Sequence, residues 1–426
     1  MWRMGTMRLN DEEKMMYNGE DGPIVARAMD YLVKLGEACD AESLLDISYA
    51  HVDPGVAYHH IDIDETLELA EAGAKVVVPT STTQHCIDMD QWQNMGVPER
   101  LAQRQLTIIP AHQKMGIAGT YSCTPYLIGY LPPKGSHIAS IESSAVIYFN
   151  SLLGARSNRD GPFAIYAALT GKYPACGYHL KENRKATHLF RVDTKLSGPT
   201  DYGALGFHIG ALVGDGVPVI TGLVSTRQEE LIAMGAAMAT SGQVALYHIP
   251  GVTAEWGTFG DMFAKSNLNN KFSIGAKEIL NVYEKLHTSK DNRVDFVDLG
   301  CPHYTLEQVR KTASLISGHK VHGNVKLWVF TSRAIKAIAD RMGYSSTIKD
   351  AGGLVVCDCC GTSSHLRQTV CREYNMPVPS VNITMTDSVK QCKYANDSIG
   401  SKTILAKVED CIEAAVTGRG VVRWKK

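Results

Sequence analysis

The chain has 426 residues, 44% apolar and 20% charged, with a formal net charge of −1. That length is enough for two or three domains with sizeable cores, and a charge so near zero argues against nucleic acid or a membrane surface as a partner. No apolar run approaches the ~18 residues that span a bilayer, and the opening MWRMGTMRLNDEEKMM lacks the apolar stretch of a secretory leader, so a cytoplasmic location is expected, with the 11 cysteines reduced.

In chain order, residues 11–50 place acidic and apolar positions at helical spacing, through Asp11-Glu12-Glu13, 24–35 and 41–45. Residues 51–58, HVDPGVAY, form a loop on the turn signal Pro54-Gly55. A helix over 65–72 leads to a strand over 75–79. The polar, thiol-bearing segment Thr80-Ser81-Thr82-Thr83-Gln84-His85-Cys86 follows. Tyr121-Ser122-Cys123-Thr124-Pro125-Tyr126 then interrupts the pattern, and apolar 143–153 ends at residues 154–161. There Arg156 and Arg159 flank Asn158. Planar guanidinium groups fork onto carboxylate or phosphate; the plainer alternative is a solvated loop with paired arginines.

Residues 163–169 read as helix. Residues 189–192 open a strand-like texture that continues through the glycine-dense 196–222, where Gly214-Asp215-Gly216 reads as a hairpin-type turn. No phosphate-loop or dinucleotide glycine pattern follows a strand there. Thr226-Arg227-Gln228-Glu229 fits a capping box that opens a helix through 239, and 244–249 reads as a strand.

From about residue 293 the texture becomes regular. Strands over 294–299, 326–330, 354–356 and 381–384 alternate with helices that start near Thr305, Ser332, Ser364 and Leu405. Such alternation implies right-handed βαβ units on a parallel sheet. The expected organisation is a fused N-terminal α/β unit over 1–290 and a C-terminal α/β unit over 291–426. Cys301, Thr331-Ser332, residues 357–360 and residues 386–390 all fall at strand carboxyl ends, where open α/β sheets bind ligands. They should share one rim.

Cys301 and the group Cys357, Cys359 and Cys360 are the residues most suited to chemistry. Thiolates are soft ligands for zinc, copper(I) or iron–sulfur centres, and the spacing is poor for a zinc knuckle, which offers two tight pairs. Three thiolates from different loops would leave one iron with an open position for a hydroxy acid, where it acts as a Lewis acid. The competing readings are half-buried reduced thiols of no special role, or a non-enzymatic metal or redox thiol module. His85, His112 and His303 are each an acid, a base or an orienting donor. Lys390, just past a strand end, either fixes an anionic substrate group or is an exposed lysine at a helix start.

Taken together, the motifs resemble the large, catalytic subunit of the aconitase X family, over nearly the whole length. The carriers are Gly55-Val56-Ala57-Tyr58, Tyr121-Ser122-Cys123-Thr124-Pro125-Tyr126, Glu142-Ser143-Ser144-Ala145, and Asn150-Ser151 followed by Gly154-Ala155-Arg156-Ser157-Asn158-Arg159. Thr170-Gly171-Lys172, Tyr178-His179-Leu180, Glu182-Asn183-Arg184, Gly300-Cys301-Pro302-His303 and Asp358-x-Cys360 complete the set. The resemblance implies a multi-domain aconitase-like α/β/α architecture with parallel sheets, and iron-dependent loss of water from a small β-hydroxy carboxylate. It further implies an iron centre on Cys123, Cys301 and Cys360, either an iron–sulfur cluster (2Fe-2S or 4Fe-4S) or a mononuclear iron. Gly55, Val56, Ala57, Ser143, Ser144, Asn150, Arg156 and Lys390 would line the substrate pocket, with Lys390, His303 and His112 as candidates for catalysis.

The family's known substrates include cis-3-hydroxy-L-proline and 5-phosphomevalonate. Ala57 after Gly-Val, and the segment 80–86 in place of an Asn-Pro loop, resemble the hydroxyproline-dehydrating members. Residues 121–126 and Glu142-Ser143-Ser144-Ala145 lean toward the phosphomevalonate type. The balance favours cis-3-hydroxy-L-proline, with 5-phosphomevalonate as the alternative. No segment after residue 290 reads as the superfamily's small swivelling β-barrel domain, so a separately encoded small subunit is expected to complete the enzyme.

Overall fold

The computed structural model describes residues 7–54, 63–256, 270–361, 364–377 and 381–425. Its architecture is multi-domain α/β, built on parallel sheets with helices packed against them, as the alternating pattern led us to expect. Among the described residues no helix is long and apolar enough to cross a membrane.

The first group of strands is short. β1 (Leu44–Asp46), β2 (Ala50–Val52), β3 (Thr80–Thr82), β4 (Ala139–Ser140) and β5 (Lys172–Pro174) form a parallel sheet in the order β3-β2-β4 and an antiparallel pair β1-β5. Helices Pro23–Ala38, Ile63–Glu71, Ile108–Met115 and Phe163–Thr170 close over it, burying Leu32, Val52, Leu69, Met115 and Leu169 together. The strand expected over 75–79 is displaced to β3, and residues 44 and 45 of the expected helical stretch 41–45 belong to strand β1.

β6 (His188–Val192), β7 (Pro218–Thr221) and β8 (Asn270–Ile274) form a second parallel sheet, β7-β6-β8. Here the glycine-dense stretch departs from the sequence reading: Gly198–Val213 is a 16-residue helix, not strand. Its glycines serve a close approach to the helix Gln228–Gly242. A Cβ on Gly206 would lie 2.1 Å from the Met234 carbonyl oxygen, and one on Gly210 would lie 2.6 Å from that of Met238. Residues 244–249 are irregular, with an isolated bridge from Val219 to His248.

The third sheet follows the sequence reading for four of its five strands; the fifth, Lys402–Leu405, next to the expected helix start at Leu405, is not among the expected strands, and that helix begins at Val408. β9 (Phe296–Tyr304), β10 (Lys326–Thr331), β11 (Leu354–Val356), β12 (Ile383–Thr386) and β13 (Lys402–Leu405) are all parallel, in the order β11-β10-β9-β12-β13. β9 is central and buried along its whole length. The chain winds away from β9 in one direction through β10 and β11, then crosses to β12 and β13 on the other side. The topological switch therefore lies between β9 and β12, where such sheets place their ligand crevice.

Candidate active site

Three loops and one helix converge at this switch point. Cys301 lies near the end of β9, where the strand bends against its neighbour. The preceding residue must be glycine: Gly300 has φ +106°, and a Cβ there would sit 2.1 Å from the Phe330 carbonyl oxygen. Past β12, Ser388 caps the helix Val389–Tyr394 by accepting the Gln391 N–H at 3.1 Å, and its hydroxyl also donates to the Cys301 carbonyl. Lys390 is thereby aimed from the first turn of that helix toward the end of β9.

Lys390 Nζ lies 2.7 Å from Glu142 Oε1, and the two side chains are only 11% and 10% exposed. Glu142 stands just before the helix Ser143–Tyr148; its Oε1 also accepts the Ser144 N–H at 3.1 Å and the Ser144 hydroxyl at 2.9 Å. Burial works against both charges. Each nonetheless favours ionisation of the other: the Lys390 ammonium holds the Glu142 carboxyl well below its usual range, and the carboxylate pushes the ammonium up. The Cys301 and Cys123 thiols are close enough for their charged forms to act on Lys390 as well.

Cys360 follows β11 in a loop stitched to the first sheet. Asp358, with φ +66°, takes the Arg333 guanidinium and the Met89 N–H (3.3 Å), and the Cys357 N–H donates to Asp88 Oδ2 at 2.9 Å. Cys123 arrives from the opposite side, on a segment whose Tyr121 N–H donates to Thr82 Oγ1 at 3.0 Å. Cys301 and Cys360 share a side-chain hydrogen bond; that contact, then burial, raises the Cys301 pKa well above the ordinary thiol value. Burial pushes Cys123 up as well, aided by Glu142 and opposed by Lys390. Both shifts favour the protonated thiols of Cys301 and Cys123, and a soft cation would have to displace their protons.

His303 ties these pieces together. Its backbone N–H donates to Cys123 Sγ at 3.3 Å, its Nδ1 lies 3.1 Å from Ser122 Oγ, and its Nε2 lies 2.9 Å from the Cys359 carbonyl oxygen. Both ring nitrogens of His303 are thus engaged, by Ser122 and by the Cys359 carbonyl. His112 is not part of this group. It lies behind Tyr121, 3.1 Å from that phenol, and burial alone lowers its pKa to about 4.

Of the residues expected to line the pocket, Ser143, Ser144 and Lys390 come together around Glu142, whereas Asn150 and Arg156 do not join them. Asn150 is fully buried: its amide donates to the Ser157 and Ala245 carbonyls, both at 2.8 Å, and its oxygen accepts from Ser157 N–H and Arg184. It is a structural knot with no capacity left for a ligand. Arg156 lies level with His137, before β4, while Glu142 follows β4. Gly55, Val56 and Ala57 lie outside the described residues.

Sequence reasoning passed over Glu142 as a functional group, although it stood in a quoted motif. It also passed over His51, a fully buried imidazole 2.8 Å from Ser81 Oγ that feels the Glu142 charge. No local signal marks either one; both become visible only when β2, β4 and the helix bearing Lys390 meet.

One group of three donors among the described residues, Asp88, Cys357 and Asp358, has ligand atoms within 4.8 Å of one another, and by spacing it is a candidate metal site. Its oxygens are already engaged. Asp88 accepts from Asp90 and Gln91 N–H (both 3.0 Å) and from Cys357, and Asp358 holds Arg333. A cation there would displace a guanidinium. Next to Cys123 and Cys301, by contrast, stands the Lys390 ammonium, suited to an anionic substrate. Soft donors at a switch point, with Lys390 alongside, suit a metal centre that also holds a hydroxy acid.

Known proteins match the chain along nearly its whole length. Residues 6–182 match the family described as Aconitase X first domain, 186–284 the Aconitase X second domain and 294–417 the Aconitase X third domain. The chain is 44% identical over 366 residues to the phosphomevalonate dehydratase large subunit of Methanothermobacter thermautotrophicus, covering 84% of this chain and 89% of that protein. It is 31% identical to the cis-3-hydroxy-L-proline dehydratase of Pseudomonas aeruginosa, over 98% of this chain and 72% of that protein. The crystal structure of Thermococcus kodakaraensis aconitase X (holo-form) superposes with a TM-score of 0.82 at 34% identity, covering 96% of this chain and 100% of that one.

Proposed function

The chain belongs to the aconitase X family, and from that premise we propose that it is the large subunit of a hydro-lyase that removes water from 5-phosphomevalonate. The observation that carries the choice of substrate is identity: 44% and 43% to two phosphomevalonate dehydratase large subunits, against 31% and 30% to two cis-3-hydroxy-L-proline dehydratases. This reverses the order that Ala57 and residues 80–86 favoured. Those positions distinguish subtypes only locally, whereas the identity covers most of the chain.

The elimination takes a proton from the carbon beside a carboxylate and a hydroxide from the next. Lys390, kept charged by Glu142, supplies a fixed positive partner for the carboxylate, and Ser143 and Ser144 supply hydroxyls beside it. Cys123, Cys301 and Cys360 would hold the iron centre, which when bound supplies the Lewis acid for the departing hydroxyl. His303 has no free nitrogen with which to remove the proton. The base is assigned to a small swivelling subunit, the counterpart that the words "large subunit" in the relatives' names imply.

The test is an anaerobic assay of the iron-loaded chain with its small subunit, on 5-phosphomevalonate and cis-3-hydroxy-L-proline side by side. Turnover of the phosphorylated acid alone is expected. Turnover of hydroxyproline alone would overturn the substrate, and full activity without the small subunit would overturn the assignment of the base.

A further inference from the structure

Arg156, excluded from the site above, stands in a second group of donors. Residues 156–160 run beside β4 in parallel: the Arg156 N–H donates to the Ser136 carbonyl at 2.8 Å and the Ile138 N–H to the Arg156 carbonyl at 2.9 Å. Arg156 is thus level with His137, while Glu142 lies five residues further on, about 16 Å along an extended chain.

His179 closes the turn Gly177–His179 and brings its ring onto His137, Nδ1 to Nδ1 at 3.0 Å. A single proton serves that contact, so one ring donates and the other accepts, and a neutral accepting ring carries its own proton on Nε2. His179 is 1% exposed and its Nε2 meets no hydrogen-bond partner. Arg156 Nη1 donates to the His179 carbonyl at 3.1 Å, and its buried Nε also meets no partner. Among the described residues no carboxylate pairs with Arg156. The nearby Arg184 is already committed to Glu255 at 2.8 Å. Burial, followed by the charges of Arg156 and Arg184, keeps His137 in its neutral form; burial and the same neighbours do so for His179. One guanidinium and two imidazoles therefore meet where, among the described residues, no carboxylate pairs with Arg156, and Arg156 and His137 are part-exposed.

We propose that Arg156, His137 and His179 form a second anion-binding site, separate from the thiol and lysine centre, that takes a phosphate group, either free or as a monoester. Donors approaching from a guanidinium and two ring edges match an anion with several oxygens, and the fork geometry of arginine favours phosphate. An arriving dianion would satisfy the bare Arg156 Nε and His179 Nε2, and its charge would favour uptake of a proton from water by the imidazole pair.

The experiment is isothermal titration of the full chain with inorganic phosphate and, separately, with glycerol phosphate, on wild type, Arg156→Gln, His137→Ala and Lys390→Met. Saturable binding is expected in wild type and in Lys390→Met, weakened at least tenfold in Arg156→Gln and His137→Ala. Tighter binding of glycerol phosphate marks a monoester ligand, and equal or weaker binding marks free phosphate. His137 is half-buried, so His137→Ala decides the matter if Arg156→Gln does not fold. No saturable binding to wild type, or binding lost in Lys390→Met and kept in His137→Ala, would overturn the proposal.

Discussion

Glu142 Oε1 and Lys390 Nζ meet at 2.7 Å across 248 residues of sequence, each almost fully shielded from water. A buried charge left without its partner costs about 3–5 kcal/mol, whereas removing both ends costs far less. Glu142→Gln and Lys390→Met should each lower stability by an amount of that order, and the double variant should recover much of it. Urea unfolding of the four proteins measures the coupling. Additive losses would mean that the pair is not a pair in solution.

The cysteines give the second prediction. Replacing Cys123, Cys301 or Cys360 by serine should abolish iron retention after anaerobic purification, because each removes one soft donor from a site with none to spare. Cys357→Ser and Cys359→Ser should keep the iron. Cys357 faces Asp88, at 3.3 Å, and Cys359 packs in the apolar cluster with Phe330 and Val356. Iron content and visible absorbance report the outcome; loss of iron in Cys357→Ser alone would move the metal to the Asp88 group.

How much of this was legible in the sequence differs along the chain. The third sheet could be read for all its strands but β13: β11 falls at Leu354–Val356 as expected, and Thr305 and Ser332 cap their helices. Parallel buried strands are continuous apolar runs, and their caps are local. The second sheet misled because glycine in Gly198–Val213 marks a close helix–helix approach, which no local pattern announces. The rim holding Cys301, Cys360 and Lys390 followed from their places at strand carboxyl ends. Glu142 did not, because its meaning depends on Lys390 from the far end of the chain. Asn150 and Arg156 sit in a motif strong enough to suggest the family, yet one is a hydrogen-bonding knot and the other faces a pair of histidines.

His303 is expected to matter without titrating. His303→Gln keeps a donor and an acceptor but cannot carry the proton as an imidazole does. It should lower kcat by about tenfold or more, since misplacing a supporting group by a fraction of an ångström is felt in the chemistry. The shape of the pH–rate profile should be unchanged. Loss of one limb of that profile would make His303 a proton carrier after all.

Asp160 offers a test of electrostatics away from the metal centre. It is fully buried beneath the segment that carries Arg156 and accepts from the Ser157 hydroxyl at 3.0 Å and from the Ser140 N–H at 2.6 Å. Burial outweighs these bonds and pushes its pKa up to about 7. The folded state therefore holds the proton more tightly than the unfolded chain, whose Asp titrates near about 3.9. The sign follows: this group's contribution is fully present below the unfolded value and is lost as pH rises through the folded one. The difference between the two states is worth about 4 kcal/mol, removed between about pH 4 and about pH 7. Asp160→Asn cannot ionise, so the gap in urea stability between wild type and variant should move in the variant's favour as pH rises across that window. A gap that stays constant with pH would show that Asp160 is already ionised in the folded protein at the acid end, with its charge carried by the Ser140 and Ser157 donors.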